Sequence, residues 1–280
     1  MRIAIATFAG LPDGDEDLPA LREALAGHGH TAEPVVWDSG ADWAAFDLVV
    51  VRNTWDYIVR LEEFLAWADG IGNLANRADV LRWNTDKRYL RDLAAAGVPV
   101  VPTLWDPEDL PEWPEYVIKP AVSAGSRDTA RWSAVEAASA RAHLDRLRAE
   151  GRTVMVQPYL DAVDSAGETA LIFFDGEFSH AVRKAPILTP GSGVQEIITD
   201  EKDEREQITP REPSPAELAL ARDVLAAAPP DLLYARVDLL PGPDGSPVLL
   251  ELELSEPSLF LGHAPGAAGR LAAAITRRLC

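Results

Sequence analysis

Residues 248–258 read VLLELELSEPS, a run in which leucine and glutamate alternate before a third acid, Glu256. Side chains two apart in a strand share a face, so Glu251 and Glu253 would point one way and Leu250, Leu252 and Leu254 the other, into a core. Upstream, Asp238 stands in RVDLL, and the Pro-Asp-Gly between the two stretches predicts a hairpin. Asp238, Glu251 and Glu253 would then converge. Unpaired, three carboxylates repel and are costly to bury. Removing one charge would accordingly stabilise the metal-free protein. Two arrangements accommodate the pattern: a solvated outer face of an edge strand, or a site for divalent cations with oxygen ligands. The pair alone leaves both open.

The remainder of the chain predicts a soluble mixed protein. Its 280 residues are 47% hydrophobic, enough for one large or several small cores. A net charge of −19 argues against nucleic acid and anionic membrane as partners. A single cysteine, Cys280, excludes an internal disulfide or a multi-cysteine metal site. No apolar run has membrane-spanning length, and MRIAIATFAG reads as a first strand, so a cytoplasmic location is expected.

Strand and helix signals alternate over residues 1–78, predicting an α/β unit. Beyond it, a helix is predicted over 84–96, capped by Asn84 or Thr85. EYVIKPA reads as a strand ending in Lys119. TVMVQPYL, ETALIFFDG and EFSHAVRKAP read as strands of one mostly antiparallel sheet. The polar, Pro-marked segment 191–214 is expected to be a mobile lid outside the core. His180 and His263 show no ligand spacing and are expected to be structural.

Lys119 precedes a small-residue loop, Ser123-Ala124-Gly125-Ser126, able to bring backbone N–H groups near a phosphate. Lys87, in WNTDKRYL, is by itself an ordinary helix-face charge. RNTWDY (52–57) follows the third strand, where ligands of open α/β sheets gather. There Arg52 would clasp a substrate carboxylate, with Trp55, Asp56 and Tyr57 shaping an amino-acid-sized pocket. A structural Trp and Tyr beside a surface Arg is the other reading.

In their order, NTDKRYLRDLAAAGVPVVPT, YVIKPAVSAGSRD, MVQPYLDAV, RVDLL and LLELELSEPS resemble the ATP-grasp superfamily over about residues 80–260. VVVRNTWDY, GEFSHAVRKAP and ELELSEPSLFL are most similar to ligases of the cycloserine synthetase type (O-ureido-D-serine cyclo-ligases). They are more distantly similar to glutathione synthetase and D-alanine–D-alanine ligase. The resemblance implies an α/β and α+β ATP-grasp fold. Its parts would be an N-terminal α/β domain (1–78), a central subdomain (79–157) and a C-terminal subdomain with the metal site (158–280), the last two clasping ATP.

By the same resemblance Lys87 and Lys119 would hold the α- and β-phosphates, and Ser123, Gly125 and Ser126 would cover them. Gln157, Tyr159 and Leu160 would line the adenine cleft, although relatives often start that hinge with Glu. Glu168 would lie near the ribose. Arg183 and Arg236 would face the transferred phosphoryl group. Asp238, Glu251 and Glu253 would bind two Mg²⁺, or Mn²⁺ in their place, although many relatives carry Asn where Glu253 stands. Ser258 would join the substrate residues.

The implied reaction is ADP-forming. A small amino-acid-like carboxylate becomes an acylphosphate, and a nitrogen nucleophile then displaces phosphate by ring closure or amide formation. A homodimer or homotetramer is the implied assembly. A carboxylate kinase without the ligation step, or a nucleotide-binding regulatory module, remains the alternative. The intact carboxylate set argues against the module, and product analysis separates the three.

Overall fold

The computed structural model describes residues 1–195 and 207–279. The N-terminal strands β1 (Arg2–Thr7), β2 (Thr31–Val36), β3 (Leu48–Asn53) and β4 (Leu74–Ala75) form a parallel sheet in the order β2-β1-β3-β4. Residues 3–6 and 49–51 are fully buried, as strands covered on both faces must be. Helices α1 (Leu18–Gly27) and α2 (Leu61–Asp69) make the crossovers.

A second sheet is built from β5 (Leu104–Trp105), β6 (Glu115–Pro120), β7 (Ala130–Ser133) and β8 (Val154–Pro158), all antiparallel, in the order β5-β8-β6-β7. Its core joins Tyr116, Ile118 and Trp132 to the apolar face of α5 (Ala137–Ala149). The third sheet contains β9 (Glu168–Phe174), β10 (Glu177–Lys184), β11 (Ile208–Arg211), β12 (Tyr234–Pro241) and β13 (Pro247–Glu253), in the order β11-β10-β9-β12-β13. The strand predicted in TVMVQPYL therefore belongs to the second sheet, not to the sheet of its two successors. Short α6 (Ala162–Ala166) links the two sheets.

Helices α3 (Ala78–Asn84) and α4 (Tyr89–Ala95) replace the single helix predicted over 84–96. The chain breaks between them because Asn84 is committed to β13: its amide donates to Leu252 O and accepts from Leu254 N, both at 2.7 Å. Tyr89 Oη accepts from Leu252 N at 2.9 Å, and Leu249 N donates to Pro99 O at 2.8 Å. The outer edge of β13 is thus satisfied by side chains and a passing segment, which fixes the strand and closes an edge that would otherwise invite pairing. Val80, Leu90 and Leu93 of these helices pack on the third sheet with Leu171, Val237 and Leu252.

Helix α7 (Pro215–Ala227) opens with a capping box in which Ser214 and Glu217 satisfy each other's backbone N–H groups. It covers the third sheet with Leu220 and Val224. The C-terminal α8 (Ala267–Arg278) packs on α1 and joins the first sheet to the third through Leu271 and Ile275. The segment predicted as a lid contains β11, which pairs with β10 from Lys184↔Ile208 to Ala181↔Arg211, so its C-terminal part belongs to the fold. Gln195 also exchanges backbone hydrogen bonds with Asp128 and Thr129. Residues 196–206 lie outside the described residues. No helix among the described residues is long and apolar enough to cross a membrane.

Candidate functional site

One cleft of about 550 Å³ opens between the second and third sheets, with the N-terminal sheet's loops at one end. The hairpin β12–β13 forms its floor, with Asp238 directly opposite Glu251 and Arg236 opposite Glu253. The register shifts between Asp238 and Leu239, whose partner is Leu249. This bulge turns Leu249 into the core and Leu250 toward the cleft, overturning the expectation that Leu250 faces inward. Leu252 and Leu254 are buried as predicted.

The three carboxylates do not stand unpaired. Glu251 Oε1 lies 2.9 Å from Lys87 Nζ. Asp238 is held by Arg236 at 2.8 Å and Lys184 at 3.3 Å, and Glu253 also pairs with Arg236. These partners decide each charge state. Burial pushes the Asp238 carboxyl up, but Arg236 and Lys184 more than offset it and hold it well below the usual range. Lys87 and Lys119 do the same for Glu251. Burial pushes Glu253 up to about 7, against the pull of Arg236. Removing Glu251 would therefore strand Lys87 and Lys119 together, and the expectation that losing this charge stabilises the metal-free protein is corrected.

Lys119, at the end of β6, is 8% exposed, and burial lowers its pKa. Lys87 sits in the turn between α3 and α4, not on a helix face, and donates to Ser123 O at 2.6 Å. Ser123, Gly125 and Ser126 line the cleft above both lysines. Gly125 and Ser126 each adopt φ +58°, a left-handed pair that turns this loop sharply. A serine there holds local strain of the kind concentrated at functional loops. Gln157, Tyr159 and Leu160 line the far end, where Gln157 Nε2 donates to Thr103 Oγ1 at 2.9 Å. Glu168 also lines the cleft, paired with Lys184 at 2.6 Å, and burial pushes it up to about 8.

Not every predicted residue enters the cleft. Arg183 turns its guanidinium to Ala166 O at 2.8 Å and Ser165 O at 3.2 Å, outside the cleft lining. Its neighbour Lys184, pointing the other way along the alternating strand, lines the cleft instead. Sequence reasoning missed Lys184, although strand alternation offered it as the only other basic residue of that strand's end. Arg52 is 2% exposed and does not line the cleft; it donates to Pro257 O at 2.6 Å and lies 3.5 Å from Asp15 and 3.8 Å from Asp17. Asp56 accepts from Trp37 Nε1 and pairs with Arg60, away from the cleft. Trp55, Tyr57 and Ser258 do line it, as do Asp15, Glu16, Asp17 and Glu256, which were not predicted. His180 donates to or accepts from backbone and Ser179 as a structural histidine would.

The donor set suits hard divalent cations. Eight carboxyl side chains and four cationic ones line the cleft, an imbalance that a polyphosphate could enter only with added positive charge. Among the described residues no three His, Cys, Asp or Glu side chains form a ready-made metal cluster. The carboxylates are turned instead to Lys87, Arg236 and Lys184.

Residues 3–77 match the family described as the N-terminal domain of D-cycloserine synthetase DcsG. The chain is 40% identical to the cycloserine biosynthesis protein DcsG of Streptomyces lavendulae, over 99% of this chain and 98% of that protein. The crystal structure of D-cycloserine synthetase DcsG superposes with a TM-score of 0.88 at 37% identity, covering all of both chains. The ATP-grasp ligase PsnB, solved with a minimal precursor, Mg and ADP, shares the fold at a TM-score of 0.65 and 20% identity, over 100% of this chain and 97% of that one.

Proposed function

Since this chain belongs to the DcsG family of ATP-grasp ligases, we propose that it activates the carboxyl of an O-ureido-D-serine-like amino acid as an acylphosphate and closes the ring with the substrate's own nitrogen, releasing ADP and phosphate. The observation that carries this reading is the cleft in which Asp238 faces Glu251 across the hairpin while Lys87, Lys119 and Lys184 surround them.

Lys119 and Lys87 hold the nucleotide's phosphates under the 123–126 loop, and Gln157, Tyr159 and Leu160 receive the adenine. Glu168 hydrogen-bonds the ribose side or keeps Lys184 aimed at the terminal phosphate; the 2.6 Å pair favours the second role. Asp238, Glu251 and Glu253 would hold two Mg²⁺, or Mn²⁺, which when bound neutralise charge on the transferring phosphoryl group. Arg236 orients Asp238 and Glu253 from between them. Loss of Glu251 from Lys87 frees that lysine for phosphate, so chain and nucleotide exchange one ion pair for another. The N-terminal unit, residues 1–78, supplies Trp55 and Tyr57 to the substrate end. Subdomains 79–157 and 158–280 supply the two walls around ATP.

ADP release should require Mg²⁺ and O-ureido-D-serine, with ring product formed in equal amount; ring closure leaves the carbamoyl group on the ring nitrogen, and water must remove it as carbon dioxide and ammonia to give cycloserine. ADP without ring product would indicate a carboxylate kinase. Nucleotide binding without turnover, across this substrate and a panel of amino acids, would overturn the ligase chemistry for this chain.

A further inference from the structure

The loop that follows the metal-side strand is held carbonyl by carbonyl. Leu254 O accepts from Asn76 Nδ2 at 2.7 Å, Ser255 O from Tyr234 Oη at 2.7 Å, and Glu256 O from Trp55 Nε1 at 3.3 Å. Pro257 O accepts from Arg52 at 2.6 Å, and Ser258 O from Arg236 at 3.2 Å. Five consecutive carbonyls are therefore fixed by five side chains from three different regions of the chain. The backbone of this loop is thereby fixed, and the one charged side chain it carries is Glu256.

Glu256 is 8% exposed and lines the cleft at its N-terminal-domain end. Every other buried or half-buried carboxyl of the lining has a cation. Asp15 and Asp17 share Arg52. Glu168 has Lys184, Asp238 and Glu253 have Arg236, and Glu251 has Lys87. Among the described residues no lysine or arginine stands within ion-pair distance of Glu256; Lys87 acts on it only from farther off, and its hydrogen-bonding neighbour is the buried phenol of Tyr57. A buried carboxyl without a cation opposes folding. A chain that nevertheless clamps the backbone around it is holding that group ready for a ligand.

We infer that Glu256 is a catalytic residue of the second half-reaction: it contacts the substrate's nitrogen nucleophile and takes its proton, with Tyr57 setting its orientation. This rests on the ligase reading. In the step, the nitrogen lone pair forms the bond to the acyl carbon. The bond from that carbon to the phosphate oxygen breaks, inorganic phosphate leaves with the electron pair, and the N–H proton passes to the Glu256 carboxylate. Burial, with Glu253 nearby, raises the proton affinity of this carboxyl, so its ionised form is a stronger proton acceptor than an exposed glutamate.

The test uses Glu256→Gln, Glu256→Asp and the wild type with ATP, Mg²⁺ and O-ureido-D-serine. Acylphosphate is trapped as the hydroxamate with hydroxylamine, a nucleophile strong enough not to need the base, and ring product is measured without it. Glu256→Gln is expected to form hydroxamate within about threefold of wild type while ring closure falls about 10²–10⁴-fold, the range of general-base catalysis. Glu256→Asp, which keeps the carboxylate one methylene further back, is expected to lie between them. Unchanged ring closure in Glu256→Gln overturns the inference, as does an equal fall in hydroxamate and ring product. A wild type that yields neither product nor hydroxamate overturns the ligase reading beneath it, a result separable from the first two.

Discussion

Lys87 Nζ and Glu251 Oε1 stand 2.9 Å apart, so the cation proposed to hold phosphate and the anion proposed to hold metal neutralise each other in the metal-free protein. The pair explains how a cleft with so many carboxyls stays folded before cation or nucleotide arrives. It also sets the sign of the substitutions below.

Glu251→Gln is expected to destabilise the metal-free protein by about 1–3 kcal/mol, below the roughly 3–5 kcal/mol for breaking a fully buried pair because this one is partly solvated. The lost carboxylate leaves Lys87 and Lys119 as buried like charges. Glu253→Gln should behave differently, since Arg236 keeps Asp238 and the Glu253 carboxyl is already pushed up to about 7. A folded pKa raised in this way favours folding at low pH, and that contribution is lost as pH rises through about 7. At pH 8 the Glu253→Gln protein should therefore be as stable as wild type or more so. Urea melts in EDTA decide both; both variants should turn over poorly with Mg²⁺.

Lys87→Ala and Lys119→Ala should each weaken ATP binding by about 1.5–3 kcal/mol, the size of a charge-assisted hydrogen bond. Calorimetry with a non-hydrolysable ATP analogue measures this. Unchanged affinity in both variants would remove the phosphates from this end of the cleft.

Adjacent residues of β10 should separate stability from activity. Arg183→Ala loses two hydrogen bonds to the 165–166 carbonyls beside Gly167, whose φ of +72° and close approach to Lys184 O leave no room for a Cβ. A loss of about 1–3 kcal/mol in stability with little change in kcat is expected. Lys184→Met should show the reverse, with kcat down at least about tenfold, since it sits with Glu168 and Asp238 in the cleft. A large kcat loss in Arg183→Ala would return the phosphoryl role to that residue.

The contrast between Arg183 and Lys184 shows what the sequence could and could not convey. Local periodicity made the hairpin, its alternating carboxylates and the Lys119 strand legible, because a period of two is set by the backbone itself. The bulge that turns Leu250 toward the cleft left no local mark. Neither did the helix break before Lys87, which depends on Asn84 binding a strand 168 residues away in sequence. Arg52 drew notice for its place after β3, but its partner Pro257 lies 205 residues on, so a side chain expected to clasp substrate is a clamp for the Glu256 loop. Residues whose roles depend on such distant partners are read only once the fold brings the partners together.

Acid should unfold the protein partly through two histidines outside the cleft lining. His143 is 3% exposed; its Nδ1 accepts from Trp132 Nε1 at 3.1 Å, so Nε2 carries the hydrogen and donates to Asp128 O at 3.1 Å. A second proton would have to face an indole N–H. Burial, with Arg146 nearby, accordingly lowers its pKa to about 4. His180 is lowered to about 4 as well, chiefly by burial. In both, the unfolded chain binds a proton more readily than the folded one, so their contribution is complete above about pH 6.5 and is lost as pH falls toward 4. Each site accounts for up to about 3 kcal/mol over that window. His143→Gln keeps a donor and an acceptor for the same two partners but cannot titrate. Its unfolding free energy should fall less steeply than wild type between pH 6.5 and 4, whatever its value at pH 7. Parallel slopes for the two proteins would show that His143 is protonated in the folded state and that the Trp132 hydrogen bond does not fix its tautomer.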